Sequence, residues 1–390
     1  MANVLTGLIP VIYAALDTVS RELVGFIPAV RRNTGVERAA KGQTITFPIV
    51  PQGSAEDITP GAAPAASGSQ TIGKGTMTIS KSRAYPILWN GEEQKSLKEG
   101  SDNPQYDNIL RDQFAQAFRV LTNEIELDIF NLYVAASRAV GAAGTLPFGT
   151  ANDLSDFADI LKVLNDNGAA GGDRHLILGS SSAANLRGTQ SSLFKVNEAG
   201  DSGLLRDGVL GRVQGLMIGE SGQTLGHVKG AGTGYVTDVT VSVPIGTTDI
   251  LLKTGSGVVK AGDVVTFTGD TNKYVVAEGI TAVDTLVIAE PGLRKVLADD
   301  VAMTIGATSN EINMAFDRGA LVLGARLPAM VELNGQAMDD AKDRMIITDP
   351  VTGLAFEVSV YGQYRQMKIE VAIAWGVKMV KPAHSVLLLG

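Results

Sequence analysis

The strongest pattern in the chain begins just after Asn103-Pro104, where Tyr106, Ile109, Leu110, Phe114, Phe118, Leu121, Ile125, Ile129, Leu132 and Tyr133 recur every three or four residues. No Pro or Gly interrupts the run as far as Ala139. The spacing therefore predicts one helix of about 35 residues, Gln105 to Ala139, roughly 50 Å long at 1.5 Å per residue. Helices average about 11–12 residues in globular chains, so this one reads as a structural spine.

Upstream, Leu5, Leu8, Ile12, Leu16, Val19 and Leu23 predict one or two short helices, broken at Pro10 and ended before Pro28, in an arm to about Arg32. Period-2 alternation then marks two strands. The first is Gln43 to Val50, with Ile45, Phe47 and Ile49 on one face, and the second starts near Thr76, with Met77 and Ile79. Pro51 to Gly75, between them, is rich in Gly, Pro, Ala and Ser and too poor in large apolar groups for a core of its own. The pair reads as an extended hairpin reaching away from the body, mobile in an isolated subunit because a lone hairpin is marginal in water.

Downstream, a helix is expected over Asp153–Leu164, capped by Asn152 or Asp153 and stopped at Asn167-Gly168. A buried strand follows at His175–Leu178, then a helix at Ser180–Leu186, a polar loop at Thr189–Gly203 and a strand at Gly211–Gly219. From Tyr235 to Ile305 short β runs recur between Gly and Asp turns, which predicts a small barrel or sandwich inserted at about 225–309. The remainder is β-rich, with Asp349–Gly353 as a hairpin turn before the alternating run Ala355–Val360.

The 390 residues are 45% hydrophobic, 19% charged and 5% aromatic, a globular composition with room for two or three domains. Forty-five glycines with so few aromatics fit a subunit stabilised partly by its neighbours. With no cysteine, disulfide scaffolds, thiolate nucleophiles and Cys-ligated zinc are excluded. A formal charge of −8 argues against a dedicated nucleic-acid reader, though not against enclosing nucleic acid. Met1 to Leu16 lacks a basic n-region, so no signal peptide is expected, and no stretch reaches the roughly 18–20 apolar residues of a membrane span. A cytoplasm-like compartment is expected.

Candidate chemistry is thin. His175, His227 and His384 form no metal-ligand spacing, and His175 reads as a structural histidine on an apolar strand. Ser180 and Ser181 lack the G-x-S-x-G elbow and read as helix caps. Gly73-Lys74-Gly75-Thr76 and the Gly230, Gly232, Gly234 run miss the spacing and context of phosphate loops and read as linkers. Glu92-Glu93, Asp299-Asp300 and Asp339-Asp340 read as solvated turns, and Arg31, Arg32, Arg38 and Lys41 as solvated or intersubunit. No cofactor, metal or catalytic residue is assigned, and a structural subunit is expected in preference to an enzyme.

The ordered set of parts resembles the tailed-bacteriophage major capsid (coat) proteins of the Hong Kong 97-type fold. The matching pieces are the hairpin region Lys41–Trp89, the helix Gln105–Ala139, DRHLILGSSSAANLRG at 173–188 and GLLRDGVLGRVQGLMIGES at 203–221. KAGDVVTF, KYVVAEG and DTLVIAEPGL within Tyr235–Ile305 are similar to the β-barrel insertion domain of podovirus-type coats. DPVTGLAFEVSVYGQY and IAWGVKMVKP resemble the same subgroup. The resemblance implies an α+β fold divided into an N-terminal arm (1–40), extended loop hairpin (41–90) and peripheral domain with spine helix (91–150). An axial domain (151–224), the β-barrel insertion (225–309) and a return through axial and peripheral domains (310–390) follow.

It further implies a major capsid protein that self-assembles as hexamers and pentamers of an icosahedral shell. That shell encloses double-stranded DNA without sequence-specific binding, is made in the host cytoplasm and ends in the virion capsid. With the hairpin starting by about residue 41, a separate scaffolding protein and a portal are implied as partners, and no membrane. The tip, with Gln52, Glu56, Asp57 and Lys74, is expected to contact an adjacent subunit, and the loop carrying Lys195, Glu198 and Asp201 to approach the capsomer axis. Crosslinking through Lys74 is conceivable by analogy, against a plain solvated lysine. The alternatives are a cargo-enclosing nanocompartment of the same fold, or a hydrolase or ligand-binding protein using the β-rich insertion.

Overall fold

A computed structural model of the chain describes residues 12, 13, 15, 24–49, 73–98, 105–190, 211–239, 242–333, 336–349 and 352–390. The first half runs α1 (Phe26–Ala29), β1 (Arg31–Ala39), β2 (Thr44–Ile49), β3 (Gly73–Thr78), β4 (Lys81–Asn90), α2 (Gly91–Lys98), α3 (Gln105–Phe130), β5 (Arg138–Val140), α4 (Ser155–Asp166), β6 (Arg174–Leu178), α5 (Ser180–Thr189), β7 (Arg212–Val213) and β8 (Leu216–Glu220). Among the described residues the second half is β apart from a 3-10 turn at Pro382–His384: β9 (Val236–Thr237), β10 (Asp249–Lys253), β11 (Val264–Phe267), β12 (Lys273–Glu278), β13 (Thr285–Ile288), β14 (Met303–Ile305), β15 (Ile312–Asp317), β16 (Leu321–Pro328), β17 (Glu332–Leu333), β18 (Gln336–Ala337), β19 (Ala341–Thr348), β20 (Ala355–Gln363), β21 (Gln366–Met379) and β22 (Ser385–Leu389).

The predicted spine is present but shorter. Its α-helical part ends at Phe130, a 3-10 turn covers Asn131–Ala135, and Ala136 is already extended. The apolar spacing continues past Phe130 because Leu132 and Tyr133 still pack on the core. Tertiary pairing overrides helix propensity beyond that point, since β5 is held on both edges, parallel to β22 and antiparallel to β12. The helix lays Leu110, Phe114, Phe118, Leu121, Ile125 and Ile129 against the six-stranded sheet β1-β16-β21-β20-β19 with β4. Phe118 meets Phe356 edge-on at 5.0 Å. Burial of side chains this size contributes about 1.5–3 kcal/mol each.

In that sheet, β20 is buried on both faces: Phe356, Val358 and Val360 face the helix, while Ala355, Glu357 and Ser359 lie buried on the other side. The expected turn before it is present, with Asp349 accepting the Thr352 N–H and donating its own N–H to the Leu354 carbonyl.

β1 was not anticipated, because Arg31–Ala39 is a polar edge strand without alternation. It pairs parallel with β16, and the reading of its arginines as solvated or intersubunit is corrected for Arg32 and Arg38, whereas Arg31 is exposed as expected. Arg32 donates to the Thr352 carbonyl, and Arg38 donates to the Pro328 carbonyl and lies 2.5 Å from Glu357. The 211–219 strand is a hairpin instead, turning at Gln214 (φ +46°) and Gly215 (φ +85°), two left-handed residues that suit a tight two-residue turn. α4 starts two residues later than predicted, at Ser155, whose N–H is taken by Asp153. It stops at Asn167-Gly168 as expected.

A second sheet begins with β7-β8-β6-β15-β22, over which α4 and α5 enclose a core of Phe148, Phe157, Ile160, Leu164, Leu176, Leu186 and Leu388. β5 carries this sheet on into β12, β13, β10 and β9. There the ring closes, because β11 pairs with both β12 and β14, and Val236 of β9 bridges Ala302 beside β14. The result is the predicted small barrel, filled by Tyr235, Ile250, Leu252, Val265, Phe267, Tyr274, Val276, Leu286 and Ile288. A second tie joins it to the spine: the Tyr133 hydroxyl bonds His227 Nδ1 at 2.9 Å, and His227 Nε2 bonds the fully buried Asp263 at 2.8 Å.

Candidate assembly surface

The hairpin forms its own two-stranded sheet, outside both large ones. Thr44 faces Thr78, Phe47 faces Gly75 and Ile49 faces Gly73. Its base rests on Gly324 and Gly376, which face each other across β16 and β21. A Cβ on Gly376 would lie 2.1 Å from the Thr78 carbonyl oxygen, and one on Gly324 would lie 2.2 Å from the Met77 methyl. Any side chain at Gly376 would collide with backbone, so two bare positions make the seat. The attachment around it is small. Ala39, Ile79 and Ala374, with half-buried Ile45, form a separate cluster, Ser80 N–H donates to the Trp375 carbonyl, and Lys378 donates to the Thr76 carbonyl at 2.7 Å.

Beyond the seat, the sheet face opposite the spine is polar. Glu357 is paired by Arg38 at 2.5 Å and Arg344 at 3.2 Å, and Arg344 also reaches Asp339, on which the Tyr361 hydroxyl donates at 3.3 Å. A groove of about 340 Å³ crosses this face, with Ser82, Ala84, Ser359 and Ala372 among its lining residues. Exposed Val331 and Met338 lie near it, next to the small β17–β18 hairpin.

Two carboxylates fix this framework from far away in sequence. Glu126, fully buried on the spine, accepts the N–H groups of Phe26 at 3.0 Å and Ile27 at 2.7 Å and the Ser221 hydroxyl at 2.9 Å. It thereby caps α1, which tolerates Pro28 because a proline in a first turn sacrifices no helical hydrogen bond. Burial raises the Glu126 carboxyl above the ordinary glutamate value, while the N–H and hydroxyl donors pull the other way. Glu311, just before β15, likewise takes the N–H groups of Ser181 and Ser182 at the start of α5. The predicted serine cap is therefore a glutamate 130 positions away, and Gly179 stands at the cap because a Cβ there would lie 2.0 Å from Glu311 Oε1.

The other candidates resolve locally. His175 bonds Asp173 and stacks on Phe316, while burial holds His384 below the usual histidine value, with Lys381 pushing the same way. Among the described residues, no three His, Asp or Glu side chains gather as a metal site. Lys74 sits in an antiparallel strand opposite Pro48, and Gly230 donates its N–H to Asp263 within the barrel. Glu93 and Asn90 cap α2 reciprocally, and Asp299 and Asp300 both pair with Lys253. No described helix is long and apolar enough to cross a membrane.

Of the residues expected at assembly contacts, Lys74 is described, exposed on β3. Gln52, Glu56, Asp57, Lys195, Glu198 and Asp201, with the hairpin tip and the axial loop that carry them, lie outside the described residues. Gly324 and Gly376 had no local signal. For Glu126 the one available hint was a charged residue on the apolar stripe of the spine.

No protein-family model matches the sequence, and no curated protein matches it. Among solved structures, the capsid asymmetric unit of cyanophage A-1(L) superposes with a TM-score of 0.50 at 11% identity, covering 94% of this chain and 92% of that one. A structure from Mycobacterium phage Che8 gives 0.45 at 14% identity over 89% and 85%, and the capsid of cyanophage P-SCSP1u gives 0.45 at 12% over 93% and 87%. At such identities the likeness is one of fold. The chain has the α+β fold of a tailed-phage major capsid protein, with the barrel inserted.

Proposed function

We propose that the chain is a shell-forming coat subunit, assembling as hexamers and pentamers of an icosahedral capsid around double-stranded DNA. The observation that carries this reading is the hairpin β2–β3, a two-stranded sheet seated outside the body on two glycines. Such a ribbon is marginal alone, and a neighbouring subunit supplies the packing it lacks. Repeating one surface around closed symmetry then satisfies every copy. The formal charge of −8 suits a wall that encloses DNA without gripping it, because each basic contact to phosphate adds strong, salt-dependent binding.

On this reading the tip, with Gln52, Glu56 and Asp57, and Lys74 at the tip-side end of the β2–β3 ladder meet an adjacent subunit, and the loop with Lys195, Glu198 and Asp201 approaches the capsomer axis. A scaffolding protein guides closure, a portal occupies one vertex, and assembly takes place in the host cytoplasm. The test is negative-stain microscopy with light scattering on the recombinant chain, with and without a coexpressed scaffolding protein. Uniform closed shells are expected, and a persistent monomer under both conditions overturns the proposal. Shells from infected cells should hold nuclease-resistant DNA; protein cargo in its place would overturn the DNA part and leave a compartment.

A further inference from the structure

A cavity of about 250 Å³ lies where the barrel meets the second sheet. Arg138 of β5, Asp159 and Lys162 of α4, and Thr271, Asn272 and Lys273 at the start of β12 contribute to its wall. Three cations and one carboxylate line it, with Asp166 behind Arg138 as a second carboxylate, in a chain whose overall charge is −8.

Arg138 is the least satisfied of them. It is 4% exposed, and its terminal nitrogens donate to neutral oxygens: Asn272 Oδ1 at 2.9 Å, Asn167 Oδ1 at 3.2 Å and the Val163 carbonyl at 3.4 Å. Its carboxylate partner, Asp166, stands at 3.6 Å with 39% of its side chain in solvent, and Nε is buried with no hydrogen-bond partner among the described residues. Burial lowers the Arg138 pKa, and Arg294 nearby acts in the same direction. Held mainly by dipoles, with a carboxylate partner more than a third exposed to solvent, this buried guanidinium is only partly neutralised.

We propose that this junction cavity binds a small oxyanion of the phosphate class. Its volume falls below the roughly 300–1,000 Å³ of sites for drug-sized ligands, which suits a single compact anionic group. Lys162 is exposed at the rim, and Lys273, anchored on the Gly141 carbonyl, flanks it from the barrel side. The bound anion bridges α4, β5 and β12, and so fastens the barrel to the sheet beside it. The site does not depend on the shell reading.

The test is thermal unfolding of the full chain in sodium phosphate against sodium chloride at equal ionic strength. A saturable rise of the midpoint by about 2–4 °C is expected with phosphate. Lys162→Ala, a surface change that leaves the fold intact, should weaken the apparent affinity about tenfold, the worth of one charge-assisted hydrogen bond. Asp159→Asn should tighten it, a direction that a merely structural role for the cavity does not produce. A short single-stranded oligonucleotide at the same phosphate concentration distinguishes the source. A Lys162-dependent shift with the oligonucleotide identifies a nucleic-acid phosphate, and one with inorganic phosphate alone identifies the free ion. No saturable shift beyond chloride with either, or a shift indifferent to both substitutions, overturns the proposal.

Discussion

The hairpin and the barrel both leave the same body, and they are attached in opposite ways. The hairpin touches down on two glycines, one small apolar cluster and a few hydrogen bonds, and its ladder stops at its own two strands. The barrel is continuous with the neighbouring sheet through β5, and the chain Tyr133–His227–Asp263 and the bonds of Arg138 tie it a second and third time. Contact through a small seat leaves a ribbon's angle open to its next partner. Contact through a shared strand makes two cores move as one.

The strongest way to break this contrast is Ala139→Pro. Ala139 is buried on β5 between Lys273 and Leu387, and a proline there removes a ladder hydrogen bond at the weld. The expected loss is about 3 kcal/mol or more, with the single denaturant transition splitting in two as the barrel unfolds apart from the body. A single transition of unchanged midpoint would show that β5 does not couple them.

Gly376→Val attacks the other attachment. Its side chain meets the Thr78 carbonyl, so the seat must open, at an expected cost of about 1–3 kcal/mol. Because the affected cluster is separate from the main core, the loss should appear first as faster amide exchange in β2 and β3, with the spine still protected.

Glu126→Gln addresses a third attachment, the arm held to the spine. Losing a carboxylate that accepts from the Phe26 and Ile27 N–H groups and the Ser221 hydroxyl should cost about 1–3 kcal/mol. The folded pKa of Glu126 is raised, so the native state holds this proton more tightly than the unfolded chain does. Its contribution is fully present below the ordinary glutamate value of 4.5 and is lost as pH rises through the folded value. Stability against pH should therefore slope downward just above 4.5 in the wild type, and less steeply in the variant.

The smallest effect on the subunit is expected from Lys74→Ala. It is exposed on the hairpin, so chemical denaturation should move by no more than about 0.5 kcal/mol. Any loss in shell yield, scored by microscopy, would then belong to contacts between subunits.

Much of this architecture was legible. The spine follows from its apolar spacing, the hairpin strands from alternation, and the barrel from short runs between turns. What was not legible depended on partners distant in sequence. β1 is too polar to announce itself and exists because β16 offers an edge. The helix ends early because β22 and β12 claim the residues that follow. Glu311 and Glu126 cap helices 130 and about 100 positions away, and Gly376 is bare because a carbonyl from another strand passes over it. At the candidate surface, Lys74 reads from sequence as linker ahead of a strand starting near Thr76, yet it lies inside β3 because Pro48 of β2 pairs with it, and nothing local marked the two glycines beneath the hairpin.

The shared strand also sets a schedule for synthesis. β5 is flanked by β22, whose residues lie about 245 positions downstream, and β22 separates β5 from β15. At about 5–20 residues per second, a ribosome needs roughly 12–50 seconds to deliver the strand that belongs between them. β15 lies only about 70 positions ahead of β22, so for most of that interval it is the β5 edge alone that lacks its partner and lies exposed to strands of other nascent chains.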